Sequence, residues 1–350
     1  MRAALLFVGP GIVALCIEPI VFLLADRHPR AWFVRGGLTV LAVATIAAGL
    51  APGPLTLSCA ISVMWVAIGS ASSLAQATLV DRAPDQHAKT MARWTLLALI
   101  GDLCAPALLA GLGMLGLGWR QAFFAVGGLL GGWAVVTWIV PIPQVASADD
   151  GPDEPKLGLF AALGEALRDR TLMMWLFGLA LCDLLDEILV VFATIHVRDA
   201  LGGGTLAQSA VVGVCVGSGA IGLIVLEKLL ANHDETTLLV GFGAGCAIAF
   251  AAWVCAPNVR TSIALVIPVG ATATPLYPLV AAQAFAQRPE QSGAVLAASH
   301  LFTPLALALP FAIGVIADHA GTYVALGVLI VQPLGLMALA VRARARRVES

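Results

Sequence analysis

Long apolar stretches separated by short polar links dominate the pattern of hydrophobic and polar positions along the chain. Read from one helix-breaking segment to the next, this pattern predicts eleven helical spans, each long enough to cross a hydrocarbon layer of about 30 Å. The predicted spans are 4–25, 33–51, 55–80, 93–115, 119–140, 172–196, 206–230, 236–256, 260–286, 291–317 and 321–341. The pattern therefore predicts an all-α, polytopic membrane protein.

One link is much longer than the others and divides the chain into two halves. Residues 141–171 carry Pro, Asp, Glu and Lys, and their end has apolar residues at helical spacing, which is typical of a helix on the membrane surface. We therefore expect an N-terminal helical half over residues 1–140, a cytoplasmic central loop over 141–171 and a C-terminal helical half over 172–350.

The composition excludes most soluble classes of protein. Of the 350 residues, 60% are hydrophobic and 11% are charged, with a net charge of −2. Soluble domains have about 25% charged residues, so an ordinary soluble enzyme, a disordered chain and a basic nucleic-acid binder are all excluded. The chain also lacks the nucleotide-binding and zinc-protease motifs, so we expect no catalytic residues, no cofactor and no metal.

The seven cysteines do not suggest a metal site or a disulfide framework. All of them lie inside apolar runs, and none belongs to a CxxC or His/Cys cluster. We interpret them as small residues that pack between helices.

The distribution of Lys and Arg predicts the orientation in the membrane. If the link after the first span is cytoplasmic, fifteen of the nineteen basic residues fall on the cytoplasmic side. The four on the other side are Arg2, Arg120, Arg198 and Arg260. We therefore expect a plasma-membrane protein with a cytoplasmic C-terminus.

The two halves resemble each other at an offset of about 205 residues, as in transporters built from repeats. Pro84 corresponds to Pro289, His28 to His233 and Gly36 to Gly241. At this offset the span 172–196 has no counterpart in the first half. We expect a twelve-helix plan whose first helix lies upstream of Met1, and a natural eleven-helix form is the alternative.

Several motifs are similar to those of the major facilitator superfamily. That family has a G-x-L-A-D-[RK]-x-G-[RK]-[RK] loop after its second helix. The matching residues here are Leu24, Ala25, Asp26, Arg27 and Arg30, whereas Phe22 and Pro29 replace the two glycines. Gly101-x-x-x-Ala105-Pro106 resembles the Gly-x-x-x-Gly-Pro of the fifth helix, and Trp119-Arg120 is also similar. The resemblance implies a two-half helix bundle, a secondary transporter and a monomer.

Asp26, Arg27 and Arg30 form the candidate cytoplasmic gate. A carboxylate at a helix end, with guanidiniums one and four residues later, can pair across a cytoplasmic seam and hold it shut. The alternative is that these residues only anchor the chain by the positive-inside rule.

Ionisable side chains within the predicted spans are the candidates for proton coupling or substrate binding. Each costs about 2.5–3.5 kcal/mol on insertion scales, so function is the default explanation for it. The densest cluster is Asp183, Asp186 and Glu187, whose spacings of three and four predict one face of an α-helix near the membrane midplane. The further candidates are Glu18, Asp102 and His300.

These acids favour a particular class of transporter. No Lys or Arg lies at a comparable depth in the sequence, and buried carboxylates without cationic partners exchange protons near neutral pH. We expect a proton-coupled transporter that works by alternating access and exports a lipophilic or cationic small molecule. A proton symporter that imports a nutrient, a non-transporting eleven-helix scaffold and the membrane subunit of an ATP-driven permease are the alternatives.

Overall fold

The computed structural model describes residues 2–141, 159–289 and 291–349, and within these ranges every regular element is helical. The predicted all-α class is therefore confirmed. The first set of helices is α1 (Arg2–Ala25), α2 (Arg30–Leu50), α3 (Pro54–Ile68), α4 (Leu74–Asp81), α5 (His87–Met114) and α6 (Trp119–Ile139). The helix of the central link is α7 (Leu159–Arg168). The second set is α8 (Arg170–Asp183), α9 (Leu189–Asp199), α10 (Thr205–Leu229), α11 (Glu235–Val254), α12 (Val259–Ala273), α13 (Leu276–Phe285), α14 (Ser292–Ser299), α15 (Thr303–Ala320), α16 (Thr322–Val328) and α17 (Val331–Glu349).

Each predicted span coincides with one helix or with two successive helices. In the part of the chain that the structure describes, nine helical stretches are long and apolar enough to cross a membrane. The two remaining predicted spans correspond to α1, whose described apolar stretch Gly9–Ala25 is shorter, and to α8 with α9. The central link is only partly described, and α7 confirms the helix expected at its end.

Irregular helical turns lie between the successive helices of several spans. Gly69–Ser73 between α3 and α4 and Leu184–Ile188 between α8 and α9 are π-helical, and His300–Phe302 between α14 and α15 is a 3₁₀ turn. π turns leave an amide free of its usual acceptor and are frequent at functional sites. Pro304, in the first turn of α15, explains the third interruption because its ring cannot continue the helix before it.

The helix bounds support the internal repeat. At the offset of 205, α3 (Pro54–Ile68) coincides with α12 (Val259–Ala273), and α2 corresponds to α11 within one residue. α8 and α9 begin the second set and have no counterpart among the described helices of the first.

Packing divides the chain into two units. The first unit contains Met1–Pro84, Cys104–Asp169 and Arg288–Leu301, and in it α2 packs on α3 and α6 while α1 packs on α3 and α14. The second unit contains Asp85–Leu103, Arg170–Gln287 and Phe302–Ser350, and in it α12 packs on α10 and α11 while α8 packs on α13 and α17. Although α14 lies in the C-terminal half of the sequence, it packs in the first unit.

Candidate functional site

The carboxylate of Asp26 binds the first turn of α14. The first amides of a helix have no acceptor within that helix, and they carry its positive dipole end. Asp26 Oδ1 accepts a hydrogen bond from Gly293 N at 3.0 Å, and Oδ2 accepts one from Ala294 N at 2.9 Å. One negative side chain therefore satisfies two amides of a helix that is remote in sequence.

Arg30 joins this carboxylate to a second one. Its guanidinium pairs with Asp26 at 2.6 Å and also with Asp81 at the end of α4, and the Ser292 hydroxyl donates to Asp81 at 2.6 Å. The side chains are mostly buried, with exposed fractions of 15% for Asp26, 11% for Arg30 and 4% for Asp81. Buried charges persist only when they are paired and hydrogen-bonded, as they are here. We call Asp26, Arg30, Asp81 and the first turn of α14 the Asp26 network.

Glycine at position 293 makes the close approach of α14 to α1 possible. A Cβ at this position would collide with the backbone oxygen of Phe22 and with the Asp26 carboxylate. Phe22 stands where the family motif has its first glycine, and its side chain is only 2% exposed. The small residue at this contact is therefore on α14, and the contact is kept although the motif is altered.

Burial and hydrogen bonding act on Asp26 in opposite directions. Loss of water around the carboxyl raises the pKa of Asp26 above its ordinary value, while the charge of Arg30 and the amides of Gly293 and Ala294 oppose the rise. The predicted gate residue Arg27 is half-buried in the same turn.

Glu18 and His300, two separate candidates in the sequence, form a pair in the structure. The His300 Nε2 and Glu18 Oε2 atoms are 3.1 Å apart, and the side chains are 16% and 13% exposed. The His300 ring also lies 5.5 Å from the ring of Phe22. Glu18 fits beside the π turn because Gly69 has no side chain, and a Cβ there would lie 2.7 Å from Glu18 Oε1. We call Glu18 and His300 the coupling pair.

The coupling pair and the Asp26 network connect the same two helical segments. Glu18, Phe22 and Asp26 follow one another at intervals of four residues, so they share one face that continues from α1 into the turn after it. On the other side, Gly293 lies in the first turn of α14 and His300 immediately follows its end. A change at one polar contact therefore acts on an interface that also holds the other.

The acidic cluster in the second unit has a different local structure from the one that its spacing predicts. The prediction of one shared face assumed an uninterrupted α-helix, but residues 184–188 form a π turn. Asp183 is half-buried and Asp186 is exposed, and the side chain of Glu187 lies outside the described residues. Asp186 interacts electrostatically with three thiols, those of Cys182, Cys215 and Cys246.

The π turn has a specific partner. The amide of Leu185 donates to Gln332 Oε1 at 2.6 Å, and Gln332, in α17, is fully buried. The side-chain amide thus supplies an acceptor to a donor in the π turn, which stabilises the irregular backbone next to the acids.

Among the residues that the structure describes, no group of three His, Cys, Asp or Glu side chains has an arrangement that could hold a metal ion. The candidate Asp102 is exposed on α5.

Sequence reasoning missed three residues of these sites: Asp81, Ser292 and Gln332. A signal for Asp81 was present, because Asp81-Arg82 repeats the Asp26-Arg27 pair at the end of another helix. Ser292 follows Pro289 and Gln291 at a helix start, where serine is common, but nothing local connects it to Asp81.

Apolar helices long enough to cross a membrane, with buried charged contacts between them, indicate a polytopic membrane protein. The sequence matches the Major Facilitator Superfamily over residues 2–315, and the chain belongs to this family. It is a transporter and not an enzyme, as the sequence predicts. A search of curated proteins found no match to the sequence.

Solved structures with the same fold are numerous and remote in sequence. The fucose:proton symporter FucP of E. coli superposes with a TM-score of 0.78 at 11% identity, over 99% of this chain and 90% of that one. The human organic anion transporter MFSD10 gives 0.75 at 15% identity, over 97% and 83%. The proton:xylose symporter XylE gives 0.68 at 12% identity, over 97% and 85%. At these low sequence identities, the structural similarity shows that the fold is shared and nothing more.

Proposed function

We propose that the protein is a proton-coupled secondary transporter that moves a small molecule by alternating access. Transport itself follows from the family. The observation that supports proton coupling is the contact between Glu18 and His300, at 3.1 Å, within an apolar helix bundle.

A carboxyl and an imidazole in contact form a group that can gain or lose one proton. Histidine is the side chain that changes charge most readily near neutral pH, and the carboxylate compensates that charge when it is present. An uncompensated charge at this depth costs several kcal/mol, so protonation of the pair changes the free energy of the α1–α14 contact. Proton binding is then linked to conformation through that contact.

The Asp26 network supplies the gate in this mechanism. It holds the start of α14 on the turn after α1 through two amide hydrogen bonds to Asp26, and Arg30 pairs with the same carboxylate. By the sequence repeat, α1 belongs to the first half and α14 to the second. Alternating access requires the halves to move against each other, so this contact must break once in every cycle.

The remaining acids support the proposed substrate class. Asp183, Asp186, Glu187 and Asp102 provide negative groups in helices that are otherwise apolar, which favours a lipophilic or cationic small molecule. We propose export across the plasma membrane by a monomer whose C-terminus is cytoplasmic. Import of a nutrient with protons is the alternative. FucP and XylE are proton symporters, and at 11–12% identity their likeness bears on the fold alone.

The test uses purified protein in liposomes that contain a pH-sensitive dye. Tetraphenylphosphonium serves as a lipophilic cation, and we expect an imposed pH gradient to drive its uptake together with proton release. Glu18→Gln and His300→Gln should each abolish proton movement, while tetraphenylphosphonium binding is kept. Proton movement equal to the wild type in both variants would refute coupling through this pair. The alternative of a scaffold predicts no uptake beyond that of protein-free liposomes in any condition.

A further inference from the structure

An apolar groove lies between α1, α2 and α3, within the first unit. It has a volume of about 410 Å³. α1 contributes Val13, Ile17 and Val21, which share one face at intervals of four, and α2 contributes Trp32 and Gly36. From Val13 to Val21 the groove is about 12 Å long, at 1.5 Å per residue. We call this feature the α1–α3 groove.

The corresponding place in the second unit is closed. At the offset of 205, Ile17 corresponds to Gly222 and Val66 to Ala271. Gly222 lies directly against the backbone of Ala271, with no room for a Cβ, so α10 and α12 are in close contact. In the first unit two branched side chains line the groove at these positions. The α1–α3 groove is therefore a feature of one repeat and does not follow from the fold.

The interior of the groove is mostly apolar. The polar side chains that line it are Ser62 and Ser70, and their hydroxyls donate to the backbone oxygens of Ser58 at 2.8 Å and Val66 at 3.0 Å. Val40 and Val63, each 46% exposed, stand at its opening. The groove therefore suits a flexible hydrocarbon chain.

Polar chemistry is concentrated near the Trp32 end. The Trp32 ring contacts the Trp138 ring at 5.5 Å, and the Arg35 guanidinium lies 5.5 Å from the Trp138 centroid. Arg35 Nη2 donates to Val140 O at 3.1 Å, while its buried Nε has no acceptor among the described residues. Beyond the bond to Val140 O, the Nη atoms of the guanidinium carry further N–H groups, and guanidiniums bind phosphate well. Tryptophan side chains are enriched at the membrane interface, where lipid phosphates lie.

We propose that the α1–α3 groove binds one acyl chain of an anionic phospholipid, with the lipid phosphate at Arg35. The phospholipid would come from the cytoplasmic leaflet. The predicted orientation places the Trp32 end of α2 on the cytoplasmic side, where anionic lipids are enriched. A phospholipid has apolar acyl chains and an anionic phosphate, which match the apolar interior of the groove and the Arg35 guanidinium near its Trp32 end. The proposal does not depend on the transported substrate.

The experiment measures which lipids remain on the protein. The purified protein is reconstituted in nanodiscs of equal phosphatidylglycerol and phosphatidylcholine, transferred to detergent and examined by native mass spectrometry. We expect one retained phospholipid per chain, with phosphatidylglycerol preferred about fivefold. Gly36→Leu fills the groove without a clash, since a Cβ at Gly36 meets nothing within 4 Å, and it should abolish retention of both lipids.

Gly241→Leu is the matched control, because it makes the same change at the equivalent position of the other repeat, where a Cβ also meets nothing within 4 Å. It should retain lipid as the wild type does. Val63→Phe fills the groove from α3 and repeats the test if Gly36→Leu does not fold. Arg35→Gln should keep the lipid and lose the preference for phosphatidylglycerol. Retention by both filled variants, retention of detergent alone, or equal retention of the two lipids by the wild type would overturn the proposal.

Discussion

Two links at equivalent places in the repeats carry an aspartate, and the two aspartates have opposite roles. Asp234 precedes α11 and caps that same helix, since its carboxylate accepts from Thr237 N at 2.9 Å. Asp26 precedes α2, whose N-cap residue is Pro29, and its carboxylate instead caps α14. The first contact lies within one helix start, whereas the second joins segments that are remote in sequence.

The surroundings of the two carboxylates explain their different chemistry. The Asp234 side chain is 60% exposed, and the hydroxyls of Thr236 and Thr237 hold the pKa of Asp234 well below its ordinary range. The Asp26 side chain is 15% exposed, and burial raises the pKa of Asp26. Both carboxylates accept amides at a helix start, one largely exposed to water and the other mostly withdrawn from it.

The repeats also differ in helix spacing: α10 and α12 are in close contact, whereas α1 and α3 leave a groove between them. This difference predicts the largest effect of a substitution on stability. Gly222→Leu should destabilise the protein by about 3 kcal/mol or more, because the backbone of Ala271 cannot move aside for the new side chain. The measurement is the thermal midpoint in detergent by size-exclusion chromatography after heating. Gly241→Leu, the same change where there is space, should behave as the wild type. Equal thermal midpoints for Gly222→Leu and Gly241→Leu would contradict the close contact between α10 and α12.

The second prediction compares the two aspartates directly. Asp26→Asn should reduce tetraphenylphosphonium uptake at least about tenfold, because loss of one partner from a buried ion pair costs about 3–5 kcal/mol. Membrane insertion and elution as a folded species should not change. Asp234→Asn is the control and should transport normally, since asparagine also caps a helix. Unchanged uptake in Asp26→Asn would mean that the Asp26 network is an anchor and not a gate.

The smallest effect concerns the local cap. Asp234→Ala should lower stability at pH 7 by about 1 kcal/mol, the usual contribution of an N-cap side chain. Because the pKa of Asp234 is lower in the folded protein, its stabilisation is complete above the ordinary aspartate pKa of about 3.9 and is lost as the pH falls towards the folded value. The thermal midpoints of the wild type and Asp234→Ala should therefore converge between pH 7 and pH 3. A difference that is the same at both values contradicts the assignment.

The sequence predicted the helices well because the bilayer imposes their length and hydrophobicity. The bounds of α3 and α12, for example, differ by one residue from the predicted starts at 55 and 260. Asp26 and Arg30 were recognisable from a motif, but their partners were not. Asp81 and Ser292 are separated by 211 residues, and local spacing carries no information about which helices pack together. The π turns were also missed, since the hydropathy of a π turn and an α-helix is the same.

The distance in sequence between Asp26 and α14 has a consequence for biosynthesis. Asp26 is 267 residues ahead of Gly293, so at about 5–20 residues per second the ribosome makes the acceptor roughly 13–53 s before the amide that it binds. Arg30, four residues away, and Asp81, at a separation of 51 from Arg30, are translated early. Arg30 is therefore the partner that neutralises both acids in the nascent chain, and α14 completes the network among the last steps of assembly.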